Sequence, residues 1–312
     1  MAERNPTRVA FVIFSLVAHL IAMAFNTLAS IGKPSGVFQQ STEDVTQKYV
    51  TAITPARWSL FFWDFTYVWL LCMHIYLLAG LYRRRVYSWM YVSPAVLPYA
   101  FHVVLITNII MNISYLFLFD RELLLASLVM SATMAFTNCL LMFFSCYGVK
   151  VYGAWLNKHH SLDLWLLRIL VQNGVAMYTT FTSVATLLTL TIVLQFDAKM
   201  SSSNSAIISL SFLLAAILIW FVVENILLEN HFRFVLSVYP VVILMLAGIV
   251  SHESSPGPND VVSAALLGVA CILFLIRITL VVWRHCKHPL YPPDMPVMSP
   301  IELVRTQNQV FF

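Results

Sequence analysis

Thr54-Pro55-Ala56-Arg57-Trp58-Ser59-Leu60-Phe61-Phe62-Trp63-Asp64-Phe65-Thr66-Tyr67-Val68-Trp69 begins a run that stays apolar as far as Gly80. Thr54 is a capping residue type, and Pro55 suits the first turn of a helix, where its missing N–H costs nothing. At about 1.5 Å per residue, the helix predicted over 57–80 exceeds the roughly 30 Å of hydrocarbon in a bilayer. Trp58, Trp63, Tyr67 and Trp69 crowd its first half. Amphipathic rings placed there suit either a membrane interface or the wall of a ligand pocket.

Composition decides the environment. Of 312 residues, 60% are hydrophobic and 10% charged, with a mean hydropathy of +0.81; soluble domains carry about 25% charged residues. Such a chain cannot cover itself with a water-facing surface. Apolar runs recur near 9–30, 57–80, 96–119, 122–147, 166–196, 205–228, 232–250 and 260–283. They predict an all-α, polytopic transmembrane helix bundle of about eight spans. With the N-terminus in the cytoplasm, twelve Lys and Arg fall on the inner side, Arg4, Arg8, Arg83, Arg84, Arg85 and Arg305 among them, against five outside. That asymmetry places both termini in the cytoplasm. Nothing in the sequence names the membrane.

The five cysteines avoid the outer loops, so no disulfide framework is expected. The longest outer connection, 31–56, holds Gly32, Pro34 and Gly36 and reads as a lid. Residues 284–312, rich in proline, read as an extended and mobile tail. Small residues four apart, such as Ser127 and Ser131 or Ala264 and Gly268, read as helix-packing seams.

Three ordered matches carry a resemblance. Pro34-x-Gly36, Lys48-Tyr49, Thr54-Pro55-Ala56-x-Trp58 and Trp63-x-x-x-Tyr67 form the first; Asn112-x-x-Tyr115 the second; Tyr178-Thr-Thr-Phe181 through Ala185-Thr186 the third. Together they resemble the TspO/MBR family of tryptophan-rich sensory and translocator-type proteins, over about residues 34–190. Arg57, Asp64 and Thr180 stand where that family usually has glycine, and Tyr115 and Phe181 where it has tryptophan. The resemblance implies a five-helix core over 1–200 that binds porphyrins, sterols or synthetic hydrophobic ligands. Three added helices over 201–283, as in longer members, and the 284–312 tail complete the chain.

Charged groups inside the spans are the remaining candidates. A carboxylate in hydrocarbon must be paired, protonated or wet, so Asp64 is expected to meet Arg57, two turns earlier on the same face. Glu224 and Arg277, at similar depth, are expected to form a second structural ion pair. His19, His74 and His102 show no metal-binding spacing and read as lone hydrogen-bonding groups. Leu78-x-x-x-Tyr82-Arg-Arg84, and Val149-x-x-Tyr152 running to Lys158, fit a loose cholesterol motif. No nucleophile elbow, P-loop, dinucleotide fingerprint or zinc-protease motif is present, so no enzyme is expected.

The expected function is binding or sensing of a small hydrophobic ligand, with Trp58, Trp63 and Tyr67 at the outer mouth, Asn112 and Tyr178 deeper, and Asp64 and Arg57 setting its polarity. The residues demand no cofactor and no metal; a tetrapyrrole enters only through the resemblance. The expected partners are the lipid bilayer and that ligand, with a homodimer admitted and no nucleic acid. The alternative is a secondary transporter, proton-coupled through Asp64. A seven-helix receptor with one extra span lacks its Asp-Arg-Tyr and Asn-Pro-x-x-Tyr signatures.

Overall fold

A computed structural model describes residues 5–83, 91, 94–252, 258–292, 297–299 and 302. The described residues form helices and no strands. They are α1 (Pro6–Ile31), α2 (Thr42–Lys48), α3 (Arg57–Gly80), α4 (Tyr99–Asp120), α5 (Leu124–His159), α6 (Ser161–Asp197), α7 (Ser202–Leu227), α8 (Glu229–Phe232), α9 (Val238–Val250) and α10 (Pro258–Lys287). Seven of them (α1, α3, α4, α5, α6, α7 and α10) are long and apolar enough to cross a membrane. The chain is an integral membrane protein built as an all-α bundle. Leu167–Gln172 and Val193–Asp197 in α6, and Val223–Leu227 in α7, are π-helical turns.

The seventh expected span, 232–250, is helical only over Val238–Val250, 13 residues. That is about 20 Å, short of the hydrocarbon thickness. Pro240 explains where the helix begins. Its ring would clash with the carbonyl four residues earlier, so it is tolerated only in a first turn. The chain between α8 and α9, 233–237, folds irregularly inside the bundle, and other side chains satisfy its backbone and the end of α8. Arg277 Nη2 donates to the carbonyls of Phe232 (2.8 Å) and Arg233 (3.2 Å), while Nη1 reaches Asn225 Oδ1 at 2.8 Å. Asn173 Oδ1 accepts from the N–H groups of Leu236 and Ser237, and its amide donates to the Phe234 carbonyl. Non-helical backbone at membrane depth survives only when protein satisfies it in this way.

At one end of the bundle the 32–56 connection forms the expected lid. Gly32 and Gly36 have φ of +70° and +72°, and at Gly32 a Cβ would lie 2.4 Å from the Ser41 nitrogen. A capping box between Ser41 and Asp44 starts α2. Val45, fully buried, then sits on Phe119, Leu124, Ile192 and Val193. Two carboxylates at the α4–α5 corner clip the lid down. Asp120 Oδ1 accepts from the N–H groups of Gln39 and Gln40, both at 2.8 Å. Glu122 accepts from Lys48 (2.6 Å), Gln40 (2.8 Å) and the Tyr49 hydroxyl (2.8 Å). Glu122 sits at φ +56°, strained for a residue with a Cβ, and these bonds hold it there.

Arg8, Arg83, Lys158, Arg284 and Lys287 stand at the opposite, basic end, by their places at or just beyond helix starts and ends. Arg4, Arg84, Arg85 and Arg305 lie outside the described residues. The tail departs from the expected mobile form. Tyr291 packs against Gly153, where a Cβ would meet its hydroxyl at 1.8 Å. Its hydroxyl donates to the Val149 carbonyl, and Val297 and Met298 rest on the main core. Most of the proline-rich remainder, including Pro293, Pro296 and Pro300, lies outside the described residues.

Two consequences are measurable. Arg277→Met would strand the carbonyls of 232–233 and leave buried Glu224 without its cation. A loss of about 3–5 kcal/mol is expected in SDS-induced unfolding, with Arg277→Lys intermediate. Hydrogen bonds, led by that from Lys48, hold the Glu122 carboxyl down at about 2. A depressed carboxyl contributes stability above its unfolded value of about 4.3 and loses it as pH falls through the folded one. Pepsin cleavage within 39–50, taken relative to Glu122→Gln, should therefore be slow above about pH 4.3 and accelerate progressively as pH falls from there to about 2.

Candidate functional site

The two faces of α3 separate its residues cleanly. Arg57, Leu60, Phe61, Asp64, Phe65, Val68, Cys72 and Ile75 form an exposed stripe, whereas Ser59, Thr66, Tyr67, Leu70, Met73 and His74 are buried. Trp63 is half-buried on the inward side. Its ring lies 5.6 Å from Tyr67 and 6.0 Å from both Tyr178 and Phe181 of α6. Tyr67 in turn is 6.2 Å from Tyr178. These are edge-on or tilted contacts, the arrangement that ring quadrupoles favour.

Beneath the rings is a hydrogen-bonded core linking α1, α3 and α4. Asn26 Nδ2 donates to Asn112 Oδ1 at 2.9 Å and to the Tyr67 hydroxyl at 3.1 Å. The Tyr67 hydroxyl donates to Asn112 Oδ1 at 3.0 Å. Trp63 Nε1 points at Asn26 Oδ1 from 3.5 Å, long for a hydrogen bond. Amides in apolar helices must find such partners, because water is absent. One layer further toward the basic end, His19 Nε2 lies 3.1 Å from the Tyr67 carbonyl and its ring stacks on His74 at 4.7 Å. His74 Nδ1 bonds the Leu70 carbonyl of its own helix. Two of the three histidines thus come together, contrary to the expectation that each stands alone. Among the described residues no three His, Cys, Asp or Glu side chains converge as a metal site.

The structure brings together Trp63, Tyr67, Asn112 and Tyr178. It leaves out Trp58, Arg57 and Asp64. Trp58 is on the rim, half-exposed, donating to Ser251 Oγ at 2.9 Å. The expected Arg57–Asp64 pair is absent. Arg57 turns to Glu43 of the lid at 2.6 Å, and Asp64 is exposed on the outward stripe. Arg57 opens α3 where the lid folds back over it, so Glu43 is the nearer carboxylate. Glu224 and Arg277 do meet, with Nε 3.4 Å from Oε2 and both side chains fully buried. Glu224 also accepts from the Tyr239 hydroxyl at 2.6 Å. The cholesterol patterns fare differently from expectation. Arg83 pairs with buried Asp163 at 2.9 Å, Arg84 lies outside the described residues, and Tyr152 is fully buried in the core.

Asn26 is the residue that the sequence reading passed over. Its signal was present, a lone amide in an apolar run, but Ala-Phe-Asn-Thr-Leu-Ala-Ser also resembles the end of a leader segment. Asp120 and Glu122 gave no signal, since carboxylates at a helix corner are ordinary.

No curated protein and no solved structure matches the chain. A family model described as "TSPO-like protein" matches residues 12–279, from within α1 to within α10, with the 32–56 connection and the aromatic core between them. The chain therefore belongs to the TSPO-like protein family.

Proposed function

We propose that this membrane protein binds a small, largely apolar molecule, tetrapyrrole- or sterol-like, among its first five membrane helices, α1, α3, α4, α5 and α6. One observation carries the reading. Trp63, Tyr67, Tyr178 and Phe181 form an aromatic layer over an amide–phenol core, beneath a lid held by discrete polar clips. Ring contacts are worth about 0.5–1.5 kcal/mol each, so a flat apolar ligand that offers equivalent faces can replace them at small cost. Asn26, Tyr67 and Asn112 supply donors and acceptors able to orient one polar group on that ligand.

Proton-coupled transport through Asp64 finds no geometric support, because Asp64 points away from this core. Binding, not catalysis, is the chemistry these groups suit: none is paired as nucleophile and base. In this reading both termini are cytoplasmic, because Lys and Arg gather at the end from which α1 starts and at which α10 finishes.

The check is quenching of tryptophan fluorescence by protoporphyrin, and displacement by cholesterol, in purified protein. Saturable quenching is expected, lost in Trp63→Phe and weakened roughly tenfold in Tyr67→Phe through the loss of its hydrogen bonds. Trp58→Phe, on the rim, should retain it. Quenching that is unsaturable, or unchanged in Trp63→Phe, would refute the reading.

A further inference from the structure

A cleft lies at the basic end, away from the aromatic layer. It is bounded by α1, α3, the start of α4, α6 and the 94–98 segment, and Arg8, His102, Val12, Leu77, Val96 and Leu167 are among its walls. Arg8 is half-buried there. Its Nη1 donates to the Leu97 carbonyl at 3.1 Å, and its guanidinium lies over the Tyr99 ring at 4.4 Å. Both partners are neutral. Among the described residues no carboxylate pairs with Arg8, so a five-donor cation faces the cleft without a counter-charge. His102 is 6% exposed, and its Nδ1 has no hydrogen-bond partner. A buried ring nitrogen left in that state is costly unless a ligand supplies the missing bond.

Size narrows the ligand. The free interior is about 50 Å³, room for about four waters at 10–15 Å³ each. That accommodates a carboxylate or phosphate group and excludes a sterol or tetrapyrrole. The walls beyond the two polar groups are aliphatic. Within that volume they leave no room for an acyl chain, so any chain attached to the head leaves the cleft toward the bilayer.

We propose that this cleft binds the anionic head of an acyl amphiphile, a carboxylate or phosphate held by Arg8 and His102, with the chain outside the cleft against the bilayer. An anionic head would give Arg8 its counter-charge and, through a protonated imidazole or a head-group hydroxyl, give Nδ1 its bond. The site stands at the opposite end of the bundle from the proposed hydrophobic-ligand layer and is independent of it.

The test uses the full chain in zwitterionic nanodiscs and a photoreactive diazirine analogue of oleate, with labelled peptides mapped by mass spectrometry. Saturable labelling is expected on peptides bearing Val12, Leu77 or Val96. Competition by oleate alone assigns a carboxylate head; competition by lysophosphatidate alone assigns a phosphate head. Arg8→Gln should lower labelling roughly tenfold, as loss of a charge-assisted bond does, and Arg8→Lys should retain about half. His102→Phe, which retains the stacking ring, should weaken labelling while leaving the thermal midpoint unchanged. Trp63→Phe should leave labelling intact. Equal competition by oleyl alcohol, equal competition by inorganic phosphate, or wild-type labelling in Arg8→Gln would each overturn the proposal.

Discussion

Arg277 has no exposure to solvent, yet it spends its donors on backbone carbonyls more than on its carboxylate partner. Phe232 and Arg233 face it through their oxygens, Asn225 through its amide, and Glu224 only at 3.4 Å. Lipid offers no hydrogen bonds, so the unwound 233–237 segment and the open end of α8 can exist at depth only with such a hub. From that segment α9 starts late, reaches the lid end with its carbonyl at Gly248 accepting from Ala56, and fixes the first turn of α3. The position of the aromatic layer on α3 is thus tied to a guanidinium on the last helix.

Two kinds of polar contact do different work in this bundle. Those at the centre, Asn26 with Tyr67 and Asn112, are enclosed and link three helices at one level. Those at the lid end, Glu122 with Lys48 and Arg57 with Glu43, are partly wet, and solvent-exposed ion pairs contribute little each. A stiff interior under a lightly fastened 32–56 connection lets that connection lift without loosening the bundle.

The spans and the family were legible because hydrophobic length and a few aromatic spacings carry them directly. Pro240 also told where α9 begins, though the apolar run from 232 masked it. Pairing was less legible. Seven residues separate Arg57 from Asp64 on one face, but which face turns inward depends on neighbours that α3 alone does not specify. Glu43, distant in sequence, wins Arg57 because the lid folds back. Glu224 and Arg277 could be matched because both are ions in apolar helices at one depth. His19 and His74 meet only through the angle between α1 and α3, which no spacing within either helix encodes.

The two wide turns of α6 bear on how its residues line up with those of shorter relatives. Each π turn holds one residue more than a regular turn, so the helix face after it is rotated by about 100° relative to an uninterrupted helix. The stretch between them, Asn173–Ile192, carries Tyr178 and Phe181 as a unit whose orientation relative to the start of α6 is set by the first of those turns. A chain lacking the first of them, Leu167–Gln172, would present a different side chain to Trp63 from the same place in its alignment. Likeness of motif across this helix therefore does not by itself guarantee likeness of the surface offered to a ligand.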